Sequence, residues 1–161
     1  MNSSLRKLCL VIPSLQLGGM ERVMTELSHY FCAKENLEVH LVLYGINPEL
    51  FHKIPINLII HMPKWRFISS LRFFSTIGRL YYLRNTIKKI APNSILSFGE
   101  KWNSFVLLSL TGLRYHIFIS DRCSPHKKLG FIHDNLRRFL YPHSSGIIVQ
   151  TTKAKMIYER I

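Results

Sequence analysis

An α/β fold on a mostly parallel sheet is predicted by three features of this sequence. Apolar runs alternate with helix-forming stretches along the whole chain. Several runs, such as Ile117-Phe118-Ile119 and Ile147-Ile148-Val149, are continuously apolar, the mark of strands buried on both faces. The first run passes through paired glycines, Leu17-Gly18-Gly19, straight into a helix, as first crossovers of nucleotide-handling sheets commonly do.

Strands are expected at Lys7–Pro13, Val39–Tyr44, Asn57–His61, Ser94–Phe98, His116–Ser120 and Gly146–Gln150. Helices are expected at Gly19–Ala33, about Ser70–Ala91, Trp102–Leu110, about Leu129–Leu140 and Lys153–Arg160. Asn47-Pro48 marks the stretch 45–55 as a loop, while Pro92 and Gly112 end their helices. In the long helix, Phe73, Ile77, Leu80, Leu83, Ile87 and Ile90 share one face, assigned to the sheet. Right-handed crossovers then give a Rossmann-like three-layer sandwich. The last helical pattern is still running at Ile161, which suggests one domain of something longer.

The 161 residues suffice for one domain with a single core. Hydrophobic content of 47% and aromatic content of 12% fit a folded globular chain and argue against disorder. The longest nearly apolar stretch, around Phe105 to Leu113, is too short to span a bilayer, and the N-terminus lacks the pattern of a signal peptide. Three scattered cysteines, Cys9, Cys32 and Cys123, suit a reducing cytoplasm better than a disulfide framework. Lys and Arg number 22 against 9 Asp and Glu, a formal net charge of +13 that favours an anionic partner.

Residues 64–89 carry Lys64, Arg66, Arg72, Arg79, Arg84, Lys88 and Lys89, and no acid. Aromatics interleave with them. Phe74, Tyr81 and Lys88 form a second helical stripe with Lys89 beside it, and Trp65-Arg66 precedes the helix. Trp65, Arg66, Arg72, Phe74, Tyr81, Lys88 and Lys89 thus compose a candidate membrane-contact surface facing anionic lipid. A solvated helix face is the plain alternative. Nucleic acid is a weaker reading, since no nucleic-acid fold signature accompanies the charge.

Gly18 and Gly19, before the first helix, form a candidate anion-binding element, or simply a strand-to-helix turn. Neither a dinucleotide fingerprint nor a P-loop is present. Glu100 and Asn103 follow the fourth strand, and Asp121 and Arg122 follow the fifth. Carboxyl ends of parallel strands are where such sheets bind ligands. A dipole-complementing acid at Glu100 and a loop ion pair at Asp121–Arg122 are the structural alternatives. Dispersed histidines and a single Cys123-x-x-His126 argue against a metal site on spacing, and no catalytic nucleophile motif is complete.

Taken together, several segments resemble family 4 glycosyltransferases, retaining enzymes of the GT-B fold. Val11-Ile12-Pro13-Ser14-Leu15-Gln16-Leu17-Gly18-Gly19-Met20-Glu21-Arg22-Val23 is similar to their opening. Ile119-Ser120-Asp121-Arg122, with Pro125, resembles a loop of the bacterial surface-polysaccharide branch. Ile147-Ile148-Val149-Gln150-Thr151, with Ala154, resembles their last N-domain strand and helix. The family's C-terminal half, which holds the nucleotide sugar and carries an E-x7-E motif, has no counterpart here.

The resemblance implies that residues 1–161 are the N-terminal, acceptor-side half of a GT-B fold. It implies transfer from a nucleotide sugar to a lipid-linked or polysaccharide acceptor, in O-antigen, capsule or lipopolysaccharide-type synthesis. The enzyme would be metal-independent, need no cofactor, and work as a peripheral protein on the cytoplasmic face of the plasma membrane. Gly18 and Gly19 would close over the donor diphosphate, and Glu100, Asn103, Asp121 and Arg122 would face the acceptor. Alone, the chain is expected to be inactive, its own C-terminal domain being the partner it lacks. Relatives place a histidine in the acceptor cleft; no equivalent is evident here, and no catalytic residue is assigned. The rival class is a non-catalytic basic module that binds an anionic membrane or a partner protein.

Overall fold

The computed structural model describes residues 5–45, 53–64, 72–122 and 130–159. The elements run β1 (Arg6–Ile12), α1 (Gly19–Cys32), β2 (Leu37–Leu43), β3 (Ile59–His61), α2 (Arg72–Ile90), β4 (Ser94–Phe98), α3 (Glu100–Leu110), β5 (His116–Asp121), α4 (Phe131–Leu140), a 3-10 turn (Tyr141–His143), β6 (Gly146–Val149) and α5 (Thr152–Tyr158). The six strands form one sheet in the order β3-β2-β1-β4-β5-β6. Every pairing is parallel.

Strand alternation divides the core in two. Cys9, Val11, Val42 and Ile95 pack with Leu83, Ile87 and Ile90 of α2 and Val106 of α3. Leu10, Ile12, Leu41 and Leu43 pack with Met24 of α1. Full burial of each such side chain contributes about 1.5–3 kcal/mol. Among the described residues, no helix is long and apolar enough to cross a membrane.

Three details differ from the sequence-based expectation. β3 starts at Ile59 and not Asn57, because residues 56 and 57 are in a turn and Asn57 Nδ2 donates to Cys32 O at 2.9 Å. α3 starts at Glu100 and not Trp102, since Gly99 O accepts the amides of Trp102 and Asn103. Phe73 and Ile77 do not lie on the sheet; they are 72% and 48% exposed. The 19 residues of α2 span about 28 Å, against about 17 Å for five-residue β4. Its C-terminal half covers the sheet, and its first turns overrun the sheet's carboxyl edge.

That edge is fastened by Asn103, which is wholly buried. Ser97 Oγ of β4 donates to its Oδ1 at 2.9 Å, and its Nδ2 donates to Ser120 O of β5 at 3.0 Å. Asn103→Ala would leave the buried Ser97 hydroxyl without its acceptor and take from Ser120 O one of its two donors, the other being Gly99 N. It is expected to cost about 2–4 kcal/mol, read as a lower urea midpoint. Lys101→Ala, one turn edge away and exposed, should stay within about 0.5 kcal/mol.

Candidate functional site

Between β1 and β4 the order of the strands reverses, and the loops leaving these strands run to opposite faces of the sheet. Crevices at such switch points are where open α/β sheets bind ligands. A cleft of about 320 Å³ opens here. The loop after β1 supplies Pro13, Ser14 and Gln16, α1 supplies Met20 and Glu21, and Gly45 follows β2. Arg79 reaches in from α2 and Trp102 from the first turn of α3.

Two glycines let these loops meet. Gly45 N donates to Pro13 O at 2.7 Å, and a Cβ on Gly45 would stand 2.3 Å from that oxygen. Gly99 turns the chain from β4 into α3 at φ +100°, a left-handed conformation that favours glycine. A Cβ there would press on Met20 Sδ at 3.0 Å and Trp102 Cδ1 at 3.2 Å.

The cleft holds a carboxylate, a cation, an amide and an indole. Burial pulls the Arg79 guanidinium below its usual value, opposed by the Tyr44 hydroxyl, but it remains a cation at physiological pH. Tyr44 is wholly buried behind Trp102 and Phe105, with ring centroids at 6.0 and 5.2 Å. This backing holds the Trp102 ring in place. An aromatic face suits the apolar side of a sugar ring, amide and carboxylate suit its hydroxyls, and a guanidinium suits phosphate.

Of the residues singled out from the sequence, Gly18 and Gly19 open α1 beside this cleft. Gly18 has φ 177°, extended backbone open to any residue. A Cβ on it would lie 2.1 Å from Glu21 Oε2, so the Glu21 carboxylate rests against the helix start. The space around Gly19 is open. Glu100 is the first residue of α3, and its side chain lies outside the described residues.

Asn103 cannot face an acceptor as expected; it is buried at 0% exposure with its amide spent on β4 and β5. Asp121 is 3% exposed, and its Oδ2 accepts the hydroxyls of Tyr158 and, at 3.5 Å, Tyr141. Burial, then this bond to Asp121, raises the Tyr158 hydroxyl pKa. Asp121 is therefore a structural acid and not an open ligand. Arg122 is half-buried, with its guanidinium 5.7 Å from the Phe98 ring centroid. With the Gln150 amide turned so that its oxygen faces Arg122, it accepts from Nε at 3.1 Å and Nη2 at 2.6 Å. Nη1 has no partner among the described residues.

The proposed lipid-facing stripe divides likewise. Trp65 and Arg66 lie outside the described residues, as does the Arg72 side chain. Phe74 and Tyr81 are 68% and 67% exposed, and Lys88 and Lys89 are exposed. Phe73 and Ile77 join them, so the apolar surface at the start of α2 is larger than the periodicity implied. Arg84 does not belong to it: its Nη1 donates to Ser109 O and Thr111 O, both at 2.9 Å, capping α3. Gln16, Gly45, Arg79 and Trp102 were not legible as a set, because four separate elements bring them together. Among the described residues no group of side chains is arranged to hold a metal ion.

No protein-family model matches the chain. It is 26% identical over 156 residues to the GalNAc-alpha-(1->4)-GalNAc-alpha-(1->3)-diNAcBac-PP-undecaprenol alpha-1,4-N-acetyl-D-galactosaminyltransferase of Campylobacter jejuni. That alignment covers 96% of this chain and 43% of the relative, so the chain spans less than half the relative's length. MurG of Acinetobacter baumannii superposes with a TM-score of 0.58 at 11% identity, over 92% of this chain and 42% of that one. The fold is the Rossmann-like half of a GT-B architecture, as in MurG.

The two kinds of glycine at this edge separate by experiment. Gly45→Ala is expected to cost about 1–3 kcal/mol, because backbone must move away from the new Cβ. Gly19→Ala, on helical backbone in open space, is expected to be neutral or to add up to about 1 kcal/mol. Thermal or urea melts of the two variants make the comparison.

Proposed function

We propose that this chain is the acceptor-side half of a retaining, metal-independent glycosyltransferase. It would move a sugar from a nucleotide sugar to a lipid-linked or polysaccharide acceptor in bacterial cell-surface glycan synthesis. The observation that carries this reading is the alignment along 96% of the chain with a transferase whose named acceptor is a glycan on PP-undecaprenol. The switch-point cleft agrees with it, offering an indole, an amide and two charged groups of opposite sign. A further domain would supply most of the nucleotide-sugar site.

In this reading, Trp102 takes an acceptor sugar face and Gln16 its hydroxyls. Arg79 and Arg122 meet negative charge on the acceptor lipid or the donor. The Glu21 carboxylate stands at the start of α1, where the helix dipole favours an anion. It swings aside when the Gly18–Gly19 turn closes over the donor diphosphate.

The test is titration of the chain with a polyprenyl-diphosphate glycan in detergent, and separately with nucleotide sugars. Acceptor binding is expected at least tenfold tighter than donor binding, with no sugar transferred by the chain alone. Arg122→Ala should weaken acceptor binding about tenfold, the loss of about 1.4 kcal/mol. In a protein carrying both halves, Gly19→Val should lower turnover strongly while thermal stability is kept, since a branched Cβ blocks backbone approach to phosphate. Steady turnover by the isolated chain would overturn the half-enzyme reading.

The same reading places the protein at the inner face of the plasma membrane, with α2 as the contact. The chain should sediment with vesicles containing anionic lipid and be released as salt shortens the Debye length from about 10 Å at 0.1 M to about 3 Å at 1 M. Lys88→Ser should weaken binding by up to about 1 kcal/mol. Phe74→Ser with Tyr81→Ser should leave a defect that persists at high salt, because their contribution is burial. An oligonucleotide that outcompetes vesicles at matched salt would favour nucleic acid instead.

A further inference from the structure

A second hollow, about 430 Å³, lies beneath α2 at the β3 edge of the sheet. It is separate from the switch-point cleft and shares no residue with it. Lys7, near the start of β1, and Lys89, in the last turn of α2, place it toward the opposite end of the sheet. Its polar lining is Lys7, His40, His61, Tyr82, Thr86 and Lys89, all bearing N–H or O–H groups. Among the described residues no carboxylate lines it. The nearby acid, Glu38, is taken up by Lys7 Nζ at 3.4 Å and His40 Nε2 at 2.7 Å.

The two histidines are joined. His40 Nδ1 lies 2.9 Å from His61 Nε2. An ionised carboxylate only accepts, so His40 Nε2 carries the hydrogen that faces Glu38. In neutral His40, Nδ1 is then the acceptor and His61 Nε2 the donor. That leaves His61 Nδ1 with a lone pair, and it makes no hydrogen bond to the described residues. A proton added there turns an acceptor into a donor and adds positive charge to the hollow.

We infer that this hollow binds a phosphate group, on a soluble ester or on a lipid headgroup, and that His61 takes up one proton from solvent as it binds. Lys7 and Lys89 supply fixed positive charge. Tyr82 and Thr86 supply hydroxyls, and His61 supplies charge only once protonated. The inference does not depend on the proposed transferase activity.

Among the described residues, the titratable and charged groups around His61 are His40 from β2, with Glu38 bonded to its far nitrogen, Lys7 from β1, and Tyr82 and Lys89 from α2. Burial holds His61 below the ordinary histidine value when the hollow is empty. A bound anion raises that value. Affinity is therefore highest and flat below the empty-state pKa. It falls by up to about tenfold per pH unit above it, until the bound-state pKa is passed.

Sulfate is the probe that isolates this effect, because its charge stays fixed over about pH 5.5 to 8, the range in which histidine titrates. Calorimetric titration of the whole chain at constant ionic strength should show one saturable site that weakens as pH rises. Lys89→Gln should weaken binding about fivefold to tenfold at every pH and keep the slope. His61→Gln should lower affinity at acid pH and flatten the slope. Melting curves establish that each variant is folded, and Lys89, being exposed, leaves a usable variant if His61→Gln is not. In a second arm, inorganic phosphate is compared with phosphatidylcholine vesicles with and without phosphatidic acid. Phosphatidic-acid binding that depends on His61 identifies a headgroup site; saturable phosphate binding with vesicles indifferent to His61 identifies a soluble ester. The proposal is overturned if neither sulfate nor phosphate saturates and vesicle binding is the same in wild type and His61→Gln. A pH slope unchanged in His61→Gln overturns the proton uptake.

Discussion

The reversal of strand order at β1 is the constraint on which this fold turns. Crossovers between parallel strands are right-handed. Once β2 and β3 extend the sheet one way and β4 to β6 the other, α1 must cover one face and α2 to α4 the other. The loops leaving β1 and β4 then part, and no helix can fill the space between them. What fills it is small backbone and selected side chains. Gly45 lets the loop after β2 touch Pro13, and Gly99 lets β4 turn sharply into α3. Asn103 then ties that turn to β4 and β5 from within. The cleft owes its shape to these contacts.

The excess of positive charge is not one surface. Arg84 caps α3, and Arg79 lies in the cleft. Arg137 stands over the rings of Tyr141 and Tyr158, at 5.8 and 5.3 Å. Lys7 is paired with Glu38, and Lys89 lines the hollow beneath α2. Several cations that read as a single basic field along the sequence serve separate local tasks. The exposed remainder of α2 is more apolar than basic, with Phe73, Phe74, Ile77 and Tyr81 turned outward. A bilayer interface rewards that combination through burial as much as through charge.

The parallel sheet was legible because continuously apolar runs separated by helices admit few other folds. The ends of the elements were less so. The helix expected from Trp102 begins two residues earlier, at Glu100, because Gly99 turns the chain at a left-handed φ that the pattern did not reveal. Helical periodicity placed Phe73 and Ile77 on the sheet because periodicity knows direction and not length. A helix longer than its sheet exposes the overhang whatever its pattern. Asn103 and Asp121 were misjudged for a related reason. Polar residues at the carboxyl edge are where ligands bind, and they are also what fastens that edge. Sequence position does not distinguish the two uses; burial does.

Asp121 and Arg122 show how one strand end can serve both. Successive residues on a strand point to opposite faces. Asp121 turns inward, where its carboxylate would be costly without partners. Two tyrosine hydroxyls meet it, and Arg137 stands over both rings, so the acid ties α5 and the 3-10 turn to β5. Arg122, one residue on, is steered by Phe98 and Gln150 instead. The inward acid anchors the strand end from which the guanidinium reaches. The end of β5 thus fastens the sheet with one residue and directs a guanidinium with the next, and the two charged residues are not interchangeable.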